Sequence, residues 1–161
     1  LAKIRSGHVG FVFQSYNLIP SLSVGDNVSL PARLAGRPMS ARQTRAALES
    51  VGLAGRERDR PGDLSGGEQQ RVAIARALVG GADVVFADEP TGALDSQNGR
   101  EVLRMLRSIG DDPQRSVVMV THDLEAASLA DRVLVLRDGR VVRELGRSTA
   151  AQILEAMEVP A

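Results

Sequence analysis

The chain contains no cysteine. That excludes a disulfide scaffold and every zinc site built on thiolates. Aromatic residues make up only 2% of the sequence, with no Trp and a single Tyr, too few for the stacking platforms that bind single-stranded nucleic acid. No apolar run approaches the roughly 18 residues that a membrane-spanning helix needs. Twenty basic residues balance twenty acidic ones, so bulk charge gives no reason to expect a nucleic-acid partner. Lysine is almost missing: nineteen of the basic residues are Arg, and the other is Lys3. The first residue is Leu1 rather than Met, and the opening residues lack the apolar core of a signal peptide. The expectation is a chain that starts partway through a longer protein.

What is present suits one soluble globular domain: 161 residues, 43% hydrophobic and 25% charged. Four short, almost continuously apolar runs stand out at 9–13, 84–87, 117–120 and 133–136. That pattern predicts parallel strands buried on both faces. A helical spacing of Val102, Leu103, Leu106 and Ile109 separates the second run from the third, and residues 123–130 read as a short helix between the third and fourth. Alternating strands and helices predict a doubly wound α/β sheet. Asp138-Gly139 then predicts a hairpin turn into 141–145, and Ser148 or Thr149 caps a final helix over 148–157.

Residues 16–82 differ in character. Ser40 opens a capping box for a helix that Gly52 ends. A helix over 26–34 contains Pro31, which is expected to bend or shorten it. Another runs from Gly66 to Val79 and stops at Gly80-Gly81. This stretch reads as a helical insertion between the first two strands.

In a parallel sheet all C-terminal strand ends share one edge, and ligands bind there. Gln14 follows the first run, Asp88-Glu89 the second, and Thr121-His122 the third. Taken singly, Gln14 or His122 is as well read as a turn or helix cap, and Asp88-Glu89 as an acidic turn into Pro90. Three in register point to a site. Asp88 suits a hard cation such as Mg²⁺ held through water, and Glu89 beside it suits the orientation or deprotonation of an attacking water. Ser65-Gly66-Gly67-Glu68 is itself a capping box. Yet Gly66 and Gly67 each cost up to ~1 kcal/mol against Ala in a helix, and they leave the N–H groups of a helix start open to an anion such as phosphate.

Residues 64–70 (LSGGEQQ), followed by RVAIARA, resemble the signature motif of ATP-binding-cassette (ABC) ATPases. Residues 84–89 resemble the family's Walker B strand with its catalytic glutamate. Ala93-Leu94-Asp95 resembles its D-loop, His122 its switch histidine and Gln14 its Q-loop glutamine. The stretches 14–31 and 90–96 resemble the lipoprotein-release, permease-associated and macrolide-export branch. The resemblance implies ATP and Mg²⁺ as ligands, with Gln14 and Asp88 toward the metal and Glu89 and His122 as catalytic residues. Ser65, Gly66, Gly67 and Glu68 would meet the ATP of a second, head-to-tail protomer, and Asp95 would communicate across that dimer. It further implies a transmembrane permease partner and a place on the cytoplasmic face of the cell membrane.

The family's P-loop, Gly-x-x-x-x-Gly-Lys-Ser/Thr, is not found: Lys3 is followed by Ile4, and no glycine pattern precedes it. The expected fold is therefore an α/β, P-loop NTPase-type parallel sheet with an inserted helical subdomain, incomplete at its N-terminus. Its sheet parts fall in 1–15 and 83–147, its helical subdomain in 16–82 and its last helix in 148–157. By itself such a chain is expected to be inactive. A catalytically incompetent remnant, or an ABC ATPase working outside transport, are the other readings.

Overall fold

The computed structural model describes residues 8–158; Leu1 and Lys3, singled out above, lie outside them. The chain divides into two compact units, with the break between Val120 and Thr121, and each is described by itself.

The first unit is built on three parallel strands, β1 (Val9–Phe13), β2 (Val84–Asp88) and β3 (Ser116–Val120), in the order β1-β2-β3. Their register aligns Phe13 with Asp88 and Asp88 with Val120, so the three strand ends are level. Between β1 and β2 run α1 (Val24–Leu34), α2 (Ala41–Glu49), a short 3-10 turn (Pro61–Asp63) and α3 (Gly66–Val79). The helix α4 (Ser96–Gly110) joins β2 to β3.

Each helix start has a local cause. Ser23, Ser40, Ser65 and Asp95 sit in extended backbone and accept N–H groups of the turns that follow. Gly52, at φ +73, closes α2: its N–H reaches the Glu49 carbonyl and the Leu53 N–H reaches that of Leu48, a Schellman pair. Pro31 does not shorten α1. The helix begins at Val24 and continues to Leu34. A proline inside a helix costs about 3 kcal/mol, while burying Val24 and Val28 completely and Ala32 nearly so returns more, at roughly 1.5–3 kcal/mol for each valine.

The core lies on one side of the sheet. Val12, Val85 and Ala87 meet Val24 and Val28 of α1, Val72 and Ile74 of α3, and Val102 and Leu106 of α4. Gly10 lets α3 approach β1: a side chain there would place its Cβ 2.7 Å from the Ala77 carbonyl oxygen. The expectation of strands buried on both faces is corrected. Phe11, Phe86, Val118 and Val120 are exposed, and Phe11 stacks on Phe13 and Phe86 with centroids 5.9 and 5.7 Å apart. Both faces of these strands are apolar in sequence, but the helices of this unit cover only one.

The second unit holds α5 (Leu124–Ser128), β4 (Val133–Arg137), β5 (Arg140–Leu145) and α6 (Ala150–Glu158). Here too an expectation is corrected. The fourth apolar run forms a strand and the expected hairpin with β5 is present, but the pair makes its own two-stranded antiparallel sheet and does not extend the β1-β2-β3 sheet. Asp138 and Gly139 take φ of +51 and +73. Two successive left-handed residues make the tight turn whose twist favours an antiparallel hairpin. Thr149 rather than Ser148 caps α6, through the N–H of Gln152 at 3.3 Å.

Candidate nucleotide site

The register places Asp88 at the C-terminal end of β2, with Gln14 and Glu89 one residue beyond the level ends of β1 and β2. Asp88 and Gln14 are exposed and Glu89 is half-buried. Glu89 takes φ +44, a left-handed conformation uncommon for a residue with a side chain. Two backbone bonds hold it there. Its N–H donates to the Val120 carbonyl at 2.9 Å, and its own carbonyl accepts the Gly92 N–H at 3.1 Å. The turn they make brings Gly92 under the Gln14 carboxamide, where a Cβ on Gly92 would lie 2.8 Å from Gln14 Nε2. Gln14 and the loop after Glu89 therefore form one packed unit.

The start of α3 forms a second cluster. The Ser65 hydroxyl accepts the Glu68 N–H at 3.3 Å, while the Glu68 carboxylate accepts the Ser65 N–H at 2.8 Å. Arg56 adds a hydrogen bond to Glu68 at 3.0 Å. The Ser65 N–H, helped by its hydroxyl and Arg56, holds the Glu68 carboxyl below its ordinary value. The capping box read from the sequence is formed, and the Glu68 carboxylate is engaged by it. Gly66 and Gly67 occupy the first turn, whose N–H groups have no intrahelical acceptor.

Both glycines are crowded from outside the helix. A Cβ on Gly66 would lie 2.7 Å from the Tyr16 hydroxyl and 3.4 Å from Leu94, and one on Gly67 would overlap the Asn98 carboxamide. Asn98 Nδ2 donates in turn to Asp95 at 2.6 Å, and Asp95 accepts the N–H groups of Gln97 and Asn98. The Asn98 N–H and then its carboxamide hold the Asp95 carboxyl below its ordinary value. The signature glycines and the Asp95 turn, distant in sequence, are thus set against each other.

His122 belongs to the second unit and is exposed. It sits in a tight turn: the Asp123 N–H donates to Thr121 Oγ1 at 3.0 Å, and the Asp123 carboxylate accepts the Glu125 N–H at 2.9 Å to start α5.

Four residues of these clusters carry no role in the sequence reading: Tyr16, Gln70, Arg76 and Asn98. Arg76 is the one with a visible signal, a cation among the apolar residues of α3. Its guanidinium donates to the carbonyls of Tyr16 and Asn17, which bridges α3 to the segment after Gln14, and burial lowers its pKa. Tyr16 and Asn17 both have positive φ, +60 and +48, so two charge-assisted bonds brace an unusual turn.

The donor set suits a hard cation that keeps most of its water. Asp88 and Glu89 supply carboxylate oxygens and Gln14 an amide oxygen. Among the described residues no three His, Cys, Asp or Glu side chains gather into a metal cage. Mg²⁺ is usually bound in this way, through one or two carboxylates plus substrate phosphates.

The sequence pattern of the ABC transporter family matches residues 2–92. The macrolide export ATP-binding/permease protein MacB of Chromobacterium violaceum is 50% identical over 161 residues, 97% of this chain and 25% of that protein. The pyoverdine export ATP-binding/permease protein PvdT of Pseudomonas fluorescens is 48% identical over 158 residues, 97% of this chain and 24% of that protein. The chain thus spans about a quarter of the length of the curated relatives it matches. Among solved structures, the ATP-binding cassette MJ0796 in a dimeric post-hydrolysis state with ADP and Pi superposes with a TM-score of 0.79 at 40% identity, covering 91% of this chain and 66% of that one. The cbiO1 protein of Clostridium perfringens superposes with a TM-score of 0.78 at 28% identity. The pattern covers more than half of the chain: the chain belongs to the ABC transporter family.

Proposed function

We propose that this chain is part of the ATP-hydrolysing engine of a membrane exporter, acting with a permease segment or subunit and with a second ATPase protomer placed head to tail. The observation that carries the reading is the Asp88-Glu89 strand end, with Glu89 fixed in a left-handed turn and Gln14 packed on the same loop. Glu89 is the residue that orients the attacking water and accepts its proton. Asp88 and Gln14 would hold Mg²⁺, Asp88 through a water molecule; the ion supplies charge neutralisation to the phosphates. His122 contacts the last phosphate.

The open N–H groups of Gly66 and Gly67 meet the last phosphate of the ATP carried by the partner protomer. Glu68 acts there by holding the Ser65 hydroxyl rather than by touching phosphate, since its carboxylate is already bonded to Ser65 and Arg56. Asp95, tied to Asn98 and through it to Gly67, passes a change at one site across the dimer interface. The names of the relatives, exporters of a macrolide and of pyoverdine, support export as the direction, with the working position at the cytoplasmic face of the membrane.

The test is Glu89→Gln in the full-length protein that contains this chain. ATP hydrolysis is expected to be nearly abolished, leaving only a slow residual rate, while nucleotide binding persists. Turnover at the parental rate would remove Glu89 from the mechanism.

A further inference from the structure

Gln70 is fully buried, an unusual setting for a carboxamide. It lies one helical turn beyond Gly67 in α3. Its Nε2 donates to the Pro90 carbonyl at 2.6 Å. Its Oε1 is buried with no hydrogen-bond partner. A buried unpartnered oxygen is a penalty that an apolar side chain of the same size would not carry. Packing alone therefore gives no reason for glutamine here; the bond to Pro90 does.

That bond falls at an informative place. Pro90 is itself almost wholly buried and follows Glu89, whose φ of +44 needs support from its surroundings. The Val120 carbonyl and the Gly92 N–H fix the two sides of Glu89 from the sheet and from its own loop. Gln70 supplies the next bond along the chain, and the only one of the three that comes from α3. A rigid turn of that helix separates it from Gly67, whose N–H group opens toward the anion end.

We infer that Gln70 is a positioning residue: by gripping the Pro90 carbonyl it sets the Glu89 carboxylate, and it ties that carboxylate to the glycine end of α3 in the same protomer. The inference rests on the reading of Glu89 as the group that handles water. It follows that a shift of α3 when Gly66 and Gly67 engage a phosphate is transmitted to Glu89 without passing through solvent or through the sheet.

The experiment uses the full-length protein with Gln70→Met, which keeps the volume and removes the donor, and Gln70→Asn, which keeps the amide and withdraws it from Pro90. With Glu89 less well placed, kcat is expected to fall about 10- to 100-fold, while the KM for ATP and nucleotide-driven dimerisation stay within about 3-fold of the parent. In a Glu89→Gln background, single-turnover hydrolysis followed over hours should show no further loss from Gln70→Met, because the two residues act as one unit. Parental kcat in a folded Gln70→Met protein would overturn the inference while leaving Glu89 in place, provided Glu89→Gln is inactive. Loss of the same size in both backgrounds, or failure of both variants to fold, would make Gln70 a packing residue and overturn it equally. Parental turnover by Glu89→Gln itself would instead bring down the reading on which the inference stands.

Discussion

Gly67 and Asn98 stand so close that a methyl group on Gly67 would overlap the Asn98 carboxamide and lie 2.9 Å from its Cβ. Asn98 cannot easily turn away, because Nδ2 is bonded to Asp95 at 2.6 Å and its own N–H is held by the same carboxylate. The glycine is thus demanded by a long-range contact and not by local backbone, since it lies within a regular helix.

Gly67→Ala therefore sets two effects against each other. Alanine gains about 1 kcal/mol of helix propensity, and overpacking against a held neighbour costs about 1–3 kcal/mol. The steric effect is expected to win, because Asn98 Cβ, close to the backbone, is among the atoms met. Chemical denaturation of the full-length protein should show Gly67→Ala less stable than the parent, and Asn98→Ala in that background should restore part of the loss. A gain in stability from Gly67→Ala alone would mean that the α3–α4 contact is slack.

How much of this was legible in the sequence depends on range. Ser40, Ser65 and Gly52 announce their helix ends because a cap is a bond between residues a few positions apart. The 9–13, 84–87 and 117–120 runs announce strands because β-branched and apolar residues fit a pleated surface. Which face of those strands the helices cover is not local. Phe11 and Val12 look alike in a run, yet Val12 is buried against the helices and Phe11 lies exposed beside Phe86. The run at 133–136 resembles the other three, but the Asp138-Gly139 turn that follows it decides its partner. At the site, the residues proposed to do chemistry could be picked out by motif spacing. The roles of their supports could not: Gln70 and Arg76 matter through bonds to Pro90 and Tyr16, 20 and 60 positions away, and Asn98 through its close approach to Gly67 on another helix.

The capping box at Ser65 makes α3 sensitive to acid. Its Ser65 and Arg56 bonds depress the Glu68 pKa in the folded protein. The stabilisation this gives is present above the unfolded glutamate value and is lost as pH falls through the lower, folded value. Glu68→Gln keeps an acceptor for Ser65 but cannot titrate. Thermal melts from neutral pH downward should therefore show the parent losing stability relative to Glu68→Gln as pH drops below the ordinary glutamate range. Parallel pH profiles for the two proteins would contradict the assigned shift.

Ser65 is exposed, so an arginine there has room within its own protomer. If the glycine end of α3 serves the partner's ATP, Ser65→Arg in the full-length protein should leave nucleotide affinity near the parental value and block turnover. Ser65→Ala separates obstruction from loss of the cap. It removes the bond to the Glu68 N–H, at a cost of about 0.5–2 kcal/mol, without adding bulk, and should retain most of its activity. Equal loss of binding and turnover in Ser65→Arg would contradict a site shared between protomers.

The 161-residue chain by itself is expected to show no specific affinity for Mg-ATP. A phosphate cradle depends on several consecutive backbone N–H groups in a glycine turn at a helix start, with a lysine to reach the outer phosphates. The sequence carries no Gly-x-x-x-x-Gly-Lys, and Lys3 is its only lysine. The glycine pair at the start of α3 offers donors for a single phosphate group, and the Glu68 and Asp95 carboxylates nearby oppose the approach of a highly charged anion. Arginine does not make up the difference: Arg76, which reaches the segment just after Gln14, spends its donors on the carbonyls of Tyr16 and Asn17. Calorimetric titration of the purified chain with Mg-ATP is the direct measurement. Heats of dilution alone are expected. Saturable binding in the micromolar range would mean that the chain forms a phosphate cradle of its own, and mutation of Gly66 and Gly67 would then show whether α3 is its centre.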